Sequence, residues 1–271
     1  MSLAPRRFGD SLREWRQRRR LTQLELSNAT GISARHLSFI ETGRSQPSRA
    51  MILRLAEHLQ VPLRARNELL TTAGFAAVYP MRALTDPALA PALQTVRVLL
   101  KAHEPYPAFA VDRHWTMAAS NEGFRPFLKG IDLSRFPRPF NVLRFTLHPQ
   151  GLGPRIINHW QWRVHVYANL QRQIELSDDP ALVALLDELR GYPLPDGVMS
   201  ADTVDVPAME GFAVPFQLQT EYGPLSFFST TTIFGTPLEV TLAEFSLECF
   251  YPADAGSVAI LQRASGNLPP R

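Results

Sequence analysis

The sequence predicts two domains: an all-α bundle of five short helices over about the first 75 residues, then an α+β domain built on an antiparallel sheet with flanking helices. Three observations carry this reading. Apolar residues at helical spacing, punctuated by caps and glycine stops, fill residues 8–74. Beyond them the spacing becomes mixed, with alternating runs set among helical ones. The charge also divides: residues 1–75 hold 13 arginines, no lysine and six acidic residues, a surplus of seven positive charges, while the remainder holds 15 basic and 19 acidic residues. At 271 residues and 45% apolar content the chain can bury two ordinary cores.

Composition narrows the classes of function. No apolar run reaches 18 residues, and the N-terminus meets Arg6 and Arg7 without the apolar segment of a secretory signal, so a soluble, cytoplasmic protein with no membrane partner is expected. The single cysteine, Cys249, excludes an internal disulfide and a thiolate cluster, and reads as a small buried apolar side chain.

The first helix follows from Phe8, Leu12, Trp15 and Arg19 on one stripe. Thr22 with Glu25 three residues on forms a capping box, and Leu24, Leu26 and Ala29 supply the apolar side of a second helix that Gly31 stops. Ser33 caps a third helix from about Ala34 to Thr42, with Leu37, Ile40 and Glu41 on one face and Gly43 after it. Ser48 caps a fourth through Ile52, Leu55, Ala56 and Leu59, and a fifth runs from about Arg64 to Thr72. The proline-rich stretch around Pro80, Pro87 and Pro91 reads as a linker, which sets the boundaries at 1–78, 79–90 and 91–265.

In the second domain a helix is expected at about 88–103, a hairpin from Phe109–Val111 and Trp115–Ala119, and a short helix from Asn121. A long helix over 154–173 is expected to bury Ile156, Trp160, Val164 and Ala168, and Asp179-Pro180 opens another through Leu182 to Leu189. Strands follow at Phe212–Leu218, Leu225–Phe234 and Phe245–Tyr251.

The second and third helices, joined by Thr-Gly-Ile-Ser, form a helix-turn-helix, a motif that reads DNA by seating its second helix in the major groove. Its outward residues are Ala34, Arg35, Ser38 and Phe39, because Leu37 and Ile40 are needed inside. Arg35 suits either a bidentate contact to guanine or a phosphate clamp; Ala34 and Phe39 suit thymine methyl groups, with a core or dimer contact the other reading of Phe39. His36 reads as a phosphate-side or solvent residue. The basic surplus fits a polyanion, since neutralised phosphates release counterions.

Five segments in order, Arg20-Leu21-Thr22-Gln23, Gly31-Ile32-Ser33, Ile40-Glu41-Thr42-Gly43-Arg44, Gln46-Pro47-Ser48 and Leu55-Ala56-Glu57-His58-Leu59, resemble the Cro/CI type of helix-turn-helix of the xenobiotic-response-element regulators. The resemblance implies that Gln23 holds a phosphate at a helix N-terminus, that Ser33, Thr42 and Arg44 contact the DNA backbone, and that Arg16 and Glu41 form a buried structural ion pair. Ala34 and Phe39 depart from the polar base readers of several members, which leaves the operator sequence open. The partner implied is double-stranded DNA with a palindromic operator, bound by a homodimer.

Beyond residue 100 no Gly-x-Ser-x-Gly or His-Glu-x-x-His occurs, and Gly151-Leu152-Gly153-Pro154 is not a dinucleotide fingerprint, so an enzyme is not expected. His159 and His165, six apart on a helix, face differently and do not suggest a shared metal. Thirteen of 16 phenylalanines lie here, which suits either close packing or a mostly apolar ligand. Residues Tyr106–Trp115, Ser120–Phe124, Asn141–Arg144, the helix through Trp160 and Arg163, Asp178–Pro180 and Tyr222–Leu225 resemble the PAS-like ligand-binding domain of MmyB-like regulators, over about 90–262. The resemblance implies a small hydrophobic ligand, with a bound fatty acid or similar apolar molecule the leading suggestion and no other cofactor. Phe109, Val111, Trp115, Met117, Phe124, Phe127, Phe145, Trp160, Phe216 and Phe228 are candidates for its pocket or for plain core. Asn121 suits a polar head or a helix cap, and Arg144, His159 or Arg163 would supply a cation to an acyl carboxylate. The competing reading makes this domain a ligand-free dimerisation or protein-interaction platform.

Overall fold

The computed structural model describes residues 7–195, 214–234 and 239–264, and these form two compact units. The expected strand position Phe212 lies outside the described residues. The first unit contains the described residues up to 83, with 175–177 and 239–243. Its helices are α1 (Phe8–Arg18), α2 (Gln23–Thr30), α3 (Ala34–Glu41), α4 (Arg49–His58) and α5 (Leu63–Thr72). Local chemistry sets their ends. Thr22 accepts from the Glu25 amide at 3.2 Å while Glu25 accepts from the Thr22 amide at 2.7 Å, so two orphan donors at the start of α2 are satisfied reciprocally. Gly31, at φ +67°, takes the left-handed turn that lets Ser33 begin α3 two residues later. Leu12, Leu26, Leu37, Ile40, Ile52, Leu55, Leu59 and Leu70 fill the core.

At Gly9, α1 approaches the end of α3 closely enough that a Cβ would lie 2.5 Å from the Glu41 carbonyl oxygen and 2.6 Å from that of Ile40. Gly9→Ala should therefore destabilise this unit: overpacking against rigid backbone costs about 1–3 kcal/mol, more than the roughly 1 kcal/mol of helix propensity gained. Thermal unfolding checks this, and an unchanged or raised midpoint would refute it.

The expected linker is partly fixed. Asn67 on α5 accepts from the amides of Val78 and Tyr79, each at 3.0 Å, and donates to the Tyr79 carbonyl at 2.7 Å. Within the same unit the Val240 amide, on the short helix α11 (Val240–Ala243), donates to Pro80, and Thr241 donates to the Arg82 carbonyl.

The second unit follows the expected α+β plan. A helical turn at Pro87–Leu89 leads into α6 (Ala90–Ala102), then come β1 (Ala108–Val111), β2 (Met117–Ser120), α7 (Arg125–Leu128) and α8 (Val142–Leu147). The long helix α9 (His159–Ser177) is followed by α10 (Pro180–Arg190), β3 (Phe216–Thr220), β4 (Gly223–Ile233), β5 (Ser246–Pro252) and α12 (Ala255–Ala264). The sheet is antiparallel in the order β2-β1-β5-β4-β3. Its β1 is buried on both faces: Phe109 and Val111 join the large core with the residues of α7 to α10, while Ala108 and Ala110 join Val96 and Leu100 of α6. Among the described residues no helix is long and apolar enough to cross a membrane.

Several elements and boundaries differ from expectation. Trp115 occupies the β1–β2 turn at φ +64° instead of a strand. The long helix starts at His159, not 154, because Ile156 bridges to Leu218 and the Ile157 amide donates to Gln217, which draws this segment to the β3 edge. A closing helix, α12, was not expected at all.

Candidate DNA-binding face and ligand cavity

Ser33 caps α3 by accepting from the His36 amide at 3.2 Å, which leaves Arg35 exposed in the first turn. The Arg35 guanidinium lies 5.5 Å from the centre of the Phe39 ring, one turn on, so the two present a single stacked surface. Ala34, His36 and Ser38 are half-buried beside them. Thr42 ends the helix with its hydroxyl donating to the Ser38 carbonyl at 2.8 Å, and Arg44 is exposed just beyond. Gln23 begins α2, and its amide donates to Glu41 at 2.8 Å.

Glu41 organises this face from below. Its carboxylate accepts from Arg16 Nε at 2.7 Å and from a terminal nitrogen of Arg16 at 2.9 Å, a bidentate buried pair, with Arg13 adding a contact at 3.4 Å. Burial pushes the Glu41 carboxyl up, but the hydrogen bonds from Arg16 and Gln23 outweigh it and hold the group below its ordinary value. The pair thus holds α1 to α3 as a scaffold element.

The second unit encloses a cavity of about 270 Å³ between α9 and the sheet. Cross-strand register builds the sheet wall. Phe109, Glu248 and Thr231 are paired across β1, β5 and β4, and Phe250 and Ser229 form the next row on the same face. Phe124, Phe127, Val142, Leu143 and Leu152 close the floor. On α9, Trp162, His165, Val166, Asn169 and Arg172 recur at helical spacing along the opposite wall. Trp162 packs on Phe216 with ring centres 4.7 Å apart and stacks on His165 at 5.1 Å.

The polar groups of this cavity differ in character. Asn169 bonds His165 Nε2 at 2.9 Å and accepts from Arg172. Burial, followed by the Arg172 charge, lowers the His165 imidazole and keeps it neutral. Glu248 is 6% exposed; burial raises its carboxyl to about 7, only partly countered by a hydrogen bond from Thr231. Its Oε1 has no hydrogen-bond partner among the described residues.

The sequence candidates divide cleanly. Phe109, Trp115, Phe124, Phe127 and Phe216 line the cavity. Val111 and Phe145 are core residues off the wall, Met117 packs against that core from its edge, and Trp160 also lies off the wall. Phe228 points the other way and is 42% exposed, because its neighbour Phe227 takes the inward position on β4. Asn121 corrects both of its readings: its side chain accepts from the Ala108 amide and donates to the carbonyls of Leu100 and Tyr106, so it neither caps the next turn nor faces the cavity.

None of the three expected cations reaches the cavity wall. Arg144 pairs with Glu188 at 2.7 Å, and Arg163 donates to the carbonyls of Leu189, Arg190 and Tyr192, tying α9 to the end of α10. His159 is buried and held neutral by desolvation. Asp179 is the expected cap, accepting from the Ala181 amide at 3.0 Å. No group of three or more metal-ligating side chains occurs among the described residues.

A bundle of capped helices carrying a helix-turn-helix, joined in one chain to an antiparallel sheet with a largely apolar cavity, is the architecture of a transcription regulator. Residues 92–264 match the MmyB-like transcription regulator ligand binding domain, and residues 7–69 match a helix-turn-helix domain. The chain belongs to the MmyB-like family of transcription regulators. It is also similar to the HTH-type transcriptional repressor RghR of Bacillus subtilis (strain 168), with 45% identity over 56 residues. That match covers 20% of this chain and 42% of the relative, so the likeness spans less than half of that protein.

Proposed function

We propose that this chain is a cytoplasmic, homodimeric regulator whose α3 reads a palindromic operator and whose PAS-like second domain adjusts DNA affinity when a small, mainly apolar effector enters the α9 cavity. The cavity carries the reading. It lies just under the roughly 300–1,000 Å³ typical of small-molecule pockets, is walled by aromatic rings and retains a few polar groups, including an unsatisfied one. Its size fits a short or medium chain. The fatty acid that the family resemblance implies is one such molecule, and its carboxylate would have to use Arg172 at the exposed end of the α9 wall. Denaturing extraction and lipid analysis of freshly purified protein tests this, with a stoichiometric apolar small molecule expected. Recovery of none, together with no stabilisation by any apolar compound, would favour a ligand-free platform.

For DNA, selection from random sequence should enrich a palindrome with half-sites about one helical turn apart. Arg35→Ala is expected to relax specificity at one or two base pairs, at about 1–3 kcal/mol for a bidentate contact. Arg44→Ala should weaken all sequences alike and reduce the salt slope by about one. A uniform loss from Arg35→Ala would make Arg35 a phosphate clamp.

A further inference from the structure

Glu248 is the least expected residue on the cavity wall. It sits in β5 on the sheet face that lines the cavity, 6% exposed, where burial disfavours the ionised carboxyl. Thr231, paired with it in register, satisfies part of its capacity, and Oε1 has no partner among the described residues. The surroundings are aromatic. Phe109 is its cross-strand neighbour on one side and Phe250 lies two residues along β5 on the same face, with ring centres 5.7 Å apart; Phe216 follows at 5.9 Å from Phe250. A carboxylate with aromatic rings beside it is suited to an organic cation, through one charge-assisted hydrogen bond and the attraction of aromatic rings for positive charge.

The cations on the wall do not satisfy Glu248 either. His165 is neutral, and Arg172, the other basic side chain on the cavity wall among the described residues, is exposed and bonded to Asn169. A second carboxylate buried beside Glu248 would place two like charges in one enclosure, which forces one to hold its proton.

Resting on the ligand-controlled reading above, we propose that the effector is an apolar amine, whose protonated nitrogen donates to Glu248 while its hydrocarbon body lies among Phe109, Trp162, Phe216 and Phe250. This narrows the ligand class away from a simple fatty acid. It also sets a sign for pH. Because binding requires the ionised carboxylate, affinity should rise as the pH climbs through the value of about 7 that burial gives the empty site, with a proton released on binding. Among the described residues the other ionisable side chains on the cavity wall are His165, whose imidazole burial lowers, and Arg172, both on α9.

The test uses the full chain and three probes of equal length: octylamine, 1-octanol and octanoate, with binding measured calorimetrically from pH 6 to 8.5. Octylamine should bind at least tenfold tighter than the other two at pH 8, with affinity increasing up to about tenfold per pH unit below 7 and levelling above it. Glu248→Gln should abolish both the preference and the slope while leaving 1-octanol binding in place. The wild-type pH slope stands as an independent readout if that variant folds poorly. Octanoate binding as tightly as octylamine, or an octylamine affinity flat with pH, overturns the proposal and leaves the apolar-effector reading intact. Binding of none of the three overturns both.

Discussion

Glu41→Ala is expected to remove about 3–5 kcal/mol from the DNA-binding unit, enough to consume most of the roughly 5–15 kcal/mol that holds a small domain folded. The side chain is fully enclosed, and its partner Arg16 is only 10% exposed, so truncation leaves a guanidinium with one carbonyl acceptor, Leu21, in place of a bidentate carboxylate. Gln23 loses its anchor as well. Urea unfolding of this unit and DNA binding should fail together. The paired replacement of Arg16→Met with Glu41→Leu is expected to restore most of the stability, since an apolar pair of similar volume avoids the desolvation of two charges. Restored stability without restored DNA affinity would show that the pair also orients Gln23. The pH sign follows from the depressed carboxyl. Stability from Glu41 is present above its unfolded value of about 4.5 and is lost as pH falls through the lower folded value, so acid unfolding of this unit should be shallower in Glu41→Gln.

The first unit was legible because each of its signals is local. Thr22 with Glu25, Gly31, Ser33 and Ser48 act within four residues of themselves, and the structure uses each as the sequence implies. The second unit was legible as α+β but not as a site. Helix α9 was assigned the stripe through Trp160, Val164 and Ala168, whereas Trp162, Val166 and Leu170 are buried. The reason is physical: the cavity-facing side carries His165, Asn169 and Arg172, so both sides of the helix mix polar and apolar residues and periodicity has little contrast to detect. The same holds in the sheet. Phe227 and Phe228 are both aromatic, and only the register with β5 decides which one points inward. Glu248 was invisible for a related reason, since a glutamate in a run of apolar residues reads as the solvent side of a strand. The alternation Leu247, Glu248, Cys249, Phe250 alone contains no statement that both faces are covered.

Burial of Glu248 makes a second large effect expected. Its folded carboxyl stands at about 7 against an ordinary 4.5, so between those values the unfolded chain gives up its proton while the folded chain keeps it. An acid raised in this way contributes no penalty below about pH 4.5, and an increasing one as pH rises, complete above 7. The difference of about 2.5 in pKa corresponds to roughly 3 kcal/mol of lost stability at pH 8. Glu248→Gln, which keeps an oxygen to accept from Thr231, should therefore be the more stable protein at pH 8 by about that amount and nearly equal to wild type at pH 4. Thermal unfolding of the second unit across this range checks it, and parallel curves would refute it. A natural sequence that retains a destabilising acid where glutamine would be quieter has placed a group whose value lies in what it meets. If octylamine at pH 8 raises the wild-type midpoint towards that of Glu248→Gln and shifts the variant no more than 1-octanol does, the instability and the recognition are the same carboxylate.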